Sequence, residues 1–316
     1  KFGKPNGEGN NTARSIGADR DVTFSGGGEL DNGTTFSMST TVDDAYGMSG
    51  STTTITTPTL GTFTLGASNG SVSYMYEEEV PQAYEQVSDA KETMANQVGN
   101  FMDNNFIMYS APALEVAGAT IQAHLAYSPQ ATDANVGDGG TATYDPAVGK
   151  GTEAGITIAY EGLKLGFYGA ERERTTPETA GATGQYEEDE FNGVWYATYT
   201  MGPVSIGYSE SYMDAGVTQA LSSATVNTAK AERTAGGIFT GEQMSIAFNV
   251  NDNMSISYTT SDETYDTQDD VATAVTTDDD VTESIDAIQV AYSLGGMSIK
   301  AYNMEVTNPD QDDNAA

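Results

Sequence analysis

Cysteine is absent, histidine and tryptophan occur once each, and only 12 lysines and arginines stand against 46 aspartates and glutamates in 316 residues. Without cysteine there are no disulfides and no thiolate metal sites. The formal net charge of -34 repels nucleic acid and favours cations. With His124 the only histidine, the many serines and threonines have no base and orienting acid to make a triad. There is no run of about 18 apolar residues, the length a transmembrane helix needs. The hydrophobic fraction, 38%, is low for a chain long enough to form one large β domain or two ordinary ones. No signal-peptide pattern opens the sequence at Lys1, which reads as a mature chain or a fragment.

What the chain does have is alternation, and that argues against disorder. In "EAGITIAYEGLKLGFYGAERER", Ile156, Ile158 and Tyr160 alternate with Thr157 and Ala159. A break at Glu161-Gly162 follows, and then Leu163, Leu165 and Phe167 alternate with Lys164, Gly166 and Tyr168. The same hairpin grammar recurs from "DVTFSGGGEL" to "MSIKAYNME", giving about fourteen strands of nine or ten residues by the period-two criterion. Their connections alternate strictly in kind. One kind is a tight turn; the other is long, polar and acidic, at 129–152, 172–189, 214–233 and 262–283. The segment 68–104 is longer still.

A soluble sandwich does not segregate every second loop in this way, whereas an outer-membrane barrel has one short-turn rim and one long-loop rim. The predicted fold is therefore all-β, a transmembrane antiparallel β-barrel, with residues 1–316 as one barrel domain. Closure pairs every backbone amide, as hydrocarbon demands. The apolar set, including Phe24, Phe36, Met38, Leu125, Ile206, Ile246 and Ile299, faces lipid. Thr, Ser, Gly and a few longer polar residues line water, so no large protein core is needed. The Thr-rich strand Ser51 to Thr57 fits lipid least, and packing against a neighbouring barrel is its alternative environment.

"GELDNGTTFSMSTTVDDA" with "MSGSTTTITTPTLGTFTLG", and "NNFIMYSAPALEVAGATIQAHLAYSP" after it, resemble the early hairpins of alphaproteobacterial general-diffusion porins. The resemblance is specific in the first 130 residues and covers most of the remainder in layout. It implies a homotrimer of 16-stranded barrels in the bacterial outer membrane, each with its third loop folded into the pore. It further implies a passive channel that needs no cofactor, with lipid and lipopolysaccharide as surroundings. The strand count falls about two short of that pattern, so a first and a last strand are expected outside the sequence given.

Segment 68–104 occupies the place of the pore loop. Ala83, Val87, Ala90, Met94 and Val98 lie on one helical face and Pro81 suits a first turn, which predicts a short helix against the wall. Glu77, Glu78, Glu79, Glu85, Asp89 and Glu92 then present carboxylates to the lumen, an acidic constriction that attracts cations. Solvation outside the pore is the bland alternative. Within strands only His124, Lys164 and Lys300 add longer basic groups with inward parity, so small polar solutes and cations are the expected cargo. Arg14, Arg20, Arg172 and Arg174 lie in loops or at strand ends. Glu171, Glu210, Glu242 and Glu305 share outward parity high on their strands. They read either as a ring holding Ca²⁺ or Mg²⁺ shared with lipopolysaccharide phosphates, or as strands turning polar where they leave the membrane. Asp278, Asp279 and Asp280 have the oxygen chemistry of Ca²⁺ ligands without an EF-hand spacing. Two competing functions are carried beside the porin: an acidic extracellular calcium-binding β protein of surface-layer or adhesin type, and a substrate-specific channel.

Overall fold

The computed structural model describes residues 2–3, 15–16, 21–43, 47–67, 71–89, 102, 106–131, 148–174, 189–214, 238–266 and 280–309. Two short strands, β1 (Phe2–Gly3) and β2 (Ser15–Ile16), pair only with each other. All the others join one antiparallel sheet of fifteen strands. Its first group is β3 (Val22–Glu29), β4 (Thr35–Val42), β5 (Met48–Thr57) and β6 (Gly61–Ala67). Next come β7 (Phe106–Ser110), β8 (Leu114–Val116) and β9 (Ala119–Ser128). Four longer strands follow: β10 (Val148–Tyr160), β11 (Leu163–Arg174), β12 (Glu190–Met201) and β13 (Val204–Asp214). The last are β14 (Ile238–Asn251), β15 (Met254–Asp266), β16 (Val281–Leu294) and β17 (Met297–Thr307).

Each strand pairs with its sequence neighbours, from β3 at one end of the sheet to β17 at the other. β8 resumes the line of β7 after a break that includes Pro112, which has no N–H to give to a ladder. Both pair with β9, so they fill one of fourteen positions in the sheet, the number the alternation predicts. The hairpin between β8 and β9 turns through Ala117 and Gly118, both left-handed at φ 51° and 86°, which is the twist a two-residue loop requires. The sequence placed Leu114–Val116 inside that break; the backbone instead keeps them in the ladder up to the turn.

Strands β10–β17 carry 11 to 14 residues, longer than the sequence suggested. Their outer ends are polar and therefore read as loop, yet pairing continues through Arg172 with Glu190 and Thr264 with Thr282. A tilted strand of this length rises about 30 Å, enough to cross a bilayer.

The two faces are inverted relative to a soluble sheet. On β14, Gly241, Gln243 and Ser245 are buried while Met244 and Ile246 are exposed. Phe24, Leu125 and Ile288 are all more than half exposed. Of the residues expected outward, Ile121, Ile158, Leu165 and Val290 are half-buried and the rest are exposed. The buried interior lies between the opposite face and residues 71–89. Tyr76, Met102, Phe106, Tyr168, Val194 and Tyr196 form one cluster there. Val87, Ile285 and Ala287 form a second, backed by Met304 and Val306.

The inversion has a direct test. Ile246→Arg, on the exposed face in mid-strand, should destabilise the chain refolded into lipid vesicles by about 2–4 kcal/mol in urea titrations. Ser205→Arg, on the opposite face near a turn, should cost about 1 kcal/mol or less. The reverse order would assign the apolar side to a protein core.

Candidate pore site

Residues 71–89 run along the inner face of the sheet, fastened to one strand after another. The attachment begins at β10. Val72 N donates to Glu153 Oε2 at 2.8 Å, Ser71 Oγ donates to the same oxygen, and Tyr168 OH donates to Oε1 at 3.1 Å. Glu153 is buried, so those donors replace the water a carboxylate would otherwise hold. Val72 precedes a 3₁₀ turn (Ser73–Met75), and the chain then inserts Tyr76.

Tyr76 is the hub of the first half of the loop. Its hydroxyl accepts from Thr157 Oγ1 at 3.2 Å, and its ring lies 5.8 Å from that of Tyr168, 6.2 Å from Tyr196 and 6.3 Å from His124, the last edge-on. Burial pushes the Tyr76 phenol above its ordinary pKa, so the ring stays neutral. Room for it exists because position 155 is glycine: a Cβ there would lie 2.3 Å from Tyr76 Cε2. Further along, a Cβ at Gly207 would meet Pro81 Cδ at 2.4 Å. The inward glycines therefore mark where the loop is seated.

Beyond Tyr76, polar side chains of the wall take up the loop backbone. Ser245 Oγ donates to Pro81 O, Ala83 N donates to Ser257 Oγ at 2.9 Å, and Tyr84 N donates to Gln289 Oε1 at 2.9 Å. Gln289 Nε2 returns a bond to Glu85 O at 2.7 Å. These bonds explain a departure from the predicted helix up to Asp89; Ala90, Met94 and Val98 lie outside the described residues. Residues 81–86 are irregular, and only Val87–Asp89 form a 3₁₀ turn. Wall groups satisfy amides that a helix would have satisfied internally, and no α-helix occurs among the described residues.

The six loop carboxylates are not equivalent. Glu78 is left-handed at φ 46° and turns its buried side chain to the wall, where Gln243 Nε2 donates to Oε2 at 3.2 Å. Glu79 forms an ion pair with Lys164 Nζ at 2.6 Å, and the Lys164 ammonium also sits 5.1 Å above the Tyr196 ring. With side chains 32% and 41% exposed, that pair is a modest clamp of about 1 kcal/mol or less. Glu77 and Glu85 are half-buried. Asp89 closes the 3₁₀ turn, and Glu92 lies outside the described residues.

Of the wall residues, His124 is buried, with Ser110 Oγ 2.8 Å from Nδ1. Lys300 Nζ lies 5.2 Å from the centre of the Tyr84 ring, which packs on Tyr302. Arg172 and Arg174 point to the same inner side but converge on Glu190. Arg14 and Arg20 lie outside the described residues.

Glu171, Glu210, Glu242 and Glu305 are all exposed on the outer face, but they do not share one register row. Glu210 faces Glu242, which faces Asp262, while Glu305 faces Asp286 and Glu171 faces Phe191. Rim aromatics serve these carboxylates: Tyr208 OH and Trp195 Nε1 donate to Glu210 at 2.6 and 3.0 Å, and Tyr258 OH donates to Asp286 at 2.7 Å. Asp278 and Asp279 lie outside the described residues, and Asp280 is exposed just before β16. Among the described residues no three carboxylates or histidines come together as metal ligands.

Sequence reasoning missed Glu153, Tyr76 and the two rings beside it, Tyr168 and Tyr196. Parity alone held part of the signal. Glu153 is a carboxylate with inward parity next to Gly155, in a strand otherwise lined by small and hydroxyl residues.

No protein-family model matches the chain, and a search of curated proteins finds no match. Solved structures do match in fold. OmpF of Salmonella typhi, determined as a complex with daunomycin, aligns with a TM-score of 0.62 at 10% identity, covering 98% of this chain and 89% of OmpF. A porin refined at 1.8 Å aligns at 0.58 and 14% identity, over 92% and 88% of the two chains. OmpT, an outer membrane protein of Vibrio cholerae, in its trimer form aligns at 0.56 and 13%, over 96% and 87%. The fold is thus that of porins, a transmembrane antiparallel β-barrel.

Seating of the loop is open to a single-site test. Gly155→Val should displace Tyr76, because the new side chain occupies the space of its ring. Limited proteolysis of the folded protein should then cut within residues 71–89 much faster than in the parent chain. Equal resistance would mean that Tyr76 does not rest on β10.

Proposed function

We propose that this protein is an outer-membrane porin: a passive, water-filled channel for small polar solutes and ions that prefers cations. The observation that carries this is the strand-by-strand attachment of an acidic segment to the inner face of a barrel whose outer face is apolar. A loop so placed narrows the lumen without sealing it, since the inward residues of β3 and much of β4 and β5 remain exposed or half-buried. The acidic extracellular calcium-binding alternative loses support for the same reason. A soluble protein would leave Phe24, Met244 and Ile288 facing water with nothing to cover them.

Cation preference rests on the excess of carboxylates and on their partial accessibility. Glu77 and Glu85 stay partly accessible on the loop, while Lys164 and Lys300 are both drawn onto loop groups. With the chain at -34 overall, the lumen should hold a negative potential. The cargo class is therefore small cations and uncharged polar solutes, and passage needs no cofactor.

A homotrimer is part of this reading. Tyrosine and tryptophan mark the lipid interface, and β9–β17 carry them outward at Tyr127, Trp195, Tyr199, Tyr208, Tyr258 and Tyr292. The outward face of β3–β6 has none, and it includes a Thr40–Ser51 hydroxyl pair at 3.2 Å. These strands, at 7 to 10 residues, are also short for a lipid-facing wall. A second and third copy, rather than lipid, would cover that face.

Purified protein in planar bilayers under a KCl gradient should give a reversal potential of cation-selective sign. Glu77→Gln with Glu85→Gln should move it toward zero, and Lys164→Gln, which releases Glu79, should move it the other way. A reversal potential near zero in the parent protein would refute the acidic constriction while leaving the channel intact.

A further inference from the structure

Residues 71–89 line one side of the lumen. Their contacts run from β7 and β9 to β17, and the inner faces of β3–β6 take no part in them among the described residues. Register fixes which side chains line that uncovered wall. His124 faces Ser110, Ser110 faces Thr62, Thr62 faces Thr56 and Thr56 faces Thr35, so all share the inner face. Along β3–β7 the only charged residue with inward parity inside a strand is Glu29, at the short-turn end. Most of the rest are serine or threonine, with Gly27, Gly50, Gly66, Phe106 and Met108 the exceptions.

These hydroxyls are organised in pairs. Ser39 Oγ lies 2.8 Å from Thr52 Oγ1, and Thr56 Oγ1 lies 3.0 Å from Thr62 Oγ1, with Thr54 and Thr64 at 3.5 Å between them. A hydroxyl has one donor and two acceptor sites, so a pair sharing one bond still presents a donor and several acceptors to the lumen. Bases are missing from this wall, because the two strand lysines sit on the loop side. Among the described residues a zwitterion therefore finds no basic group on the β3–β6 wall itself, and the strand lysines are already engaged with Glu79 and Tyr84.

The loop adds an apolar surface. Val72, Ser73 and Tyr76 are fully buried against the wall, while Tyr74 and Met75 between them are 50% and 38% exposed. The turn therefore presents the Tyr74 ring and Met75 away from β10. Aromatic rings offer a flat apolar body with a polar tip, and sites for small molecules combine such a surface with a few convergent polar groups.

We propose that the lumen favours uncharged polyhydroxylated solutes, of the pentose and sugar-alcohol class, with the β3–β6 hydroxyl pairs and Tyr74 as the specificity-determining groups. A sugar hydroxyl both donates and accepts, which matches a wall of hydroxyls, and the C–H face of a pyranose matches the ring. This rests on the channel reading above and narrows its cargo.

The test is swelling of proteoliposomes in isosmotic arabinose and glutamine, an uncharged sugar and a zwitterion of matched size. In the parent protein arabinose should enter faster, by about fivefold, the scale of one added hydrogen bond. Thr54→Val with Thr56→Val, which keeps shape and removes two hydroxyls, should erase most of that ratio while leaving KCl conductance unchanged. Tyr74→Ala should lower it separately, and this loop variant stands in if the strand variants fail to insert. Equal rates for the two solutes in the parent, or a ratio that survives both changes, would overturn the proposal. Absence of swelling and of KCl conductance would overturn the channel itself.

Discussion

Hydrocarbon offers a backbone amide no partner, so a strand that crosses it must find every hydrogen bond on its neighbours. The continuous ladders from β9 to β17 meet that demand, with register breaks only at Val148–Gly151 and Asn249–Asn251, at strand ends. Pairing at the polar ends, where Arg172 faces Glu190 and Glu242 faces Asp262, continues past the apolar belt. Once the ladders are set, the period of two settles the rest. Alternate residues go to lipid and to the lumen, and inner residues such as Gln243, Ser245 and Gln289 can be polar because they meet water or a polar loop.

In the proposed channel, the segment at 71–89 is what makes a polar interior selective. Part of its hold on the wall comes from groups that satisfy backbone: Glu153 at the start, Ser245 and Ser257 in the middle, Gln289 near the end. The aromatic cluster around Tyr76 and the Val87 contact with Ile285 add the hydrophobic component at the two halves. Opposite this lies a wall of hydroxyls with almost no charge. The asymmetry between a fastened acidic loop and a neutral wall gives the proposed channel its character. It differs from a lumen in which acids face bases.

Much of this was legible from alternation. The strand count, the tight turns and the outward apolar set all follow from a period of two interrupted at regular intervals, whereas the expectation that 68–104 folds into the pore rests on the resemblance to porins. Strand ends were not legible, since Arg172, Arg174 and Asp262 look like loop residues until a partner strand is known. The loop conformation was hidden for a related reason. Ala83 and Val87 have helical spacing, but the bonds that Ser257 and Gln289 make to the loop come from residues more than 170 positions away. Glu78 was read as a lumenal carboxylate, and only its left-handed backbone and the Gln243 contact show that it faces the wall. Parity placed His124, Lys164 and Lys300 on the inner face; it could not show that Lys164 and Lys300 meet Glu79 and Tyr84.

The central claim is that residues 71–89 lie inside the barrel against β10–β17. Because the chain has no cysteine, an introduced pair reports on this without background. Ala83→Cys with Ser257→Cys replaces two residues whose backbone N and side-chain oxygen lie 2.9 Å apart. Oxidation of the folded protein should form the 83–257 disulfide in high yield, seen as a crosslinked peptide by mass spectrometry. Two free thiols that react fully with a membrane-impermeant maleimide would place the loop elsewhere and contradict the account.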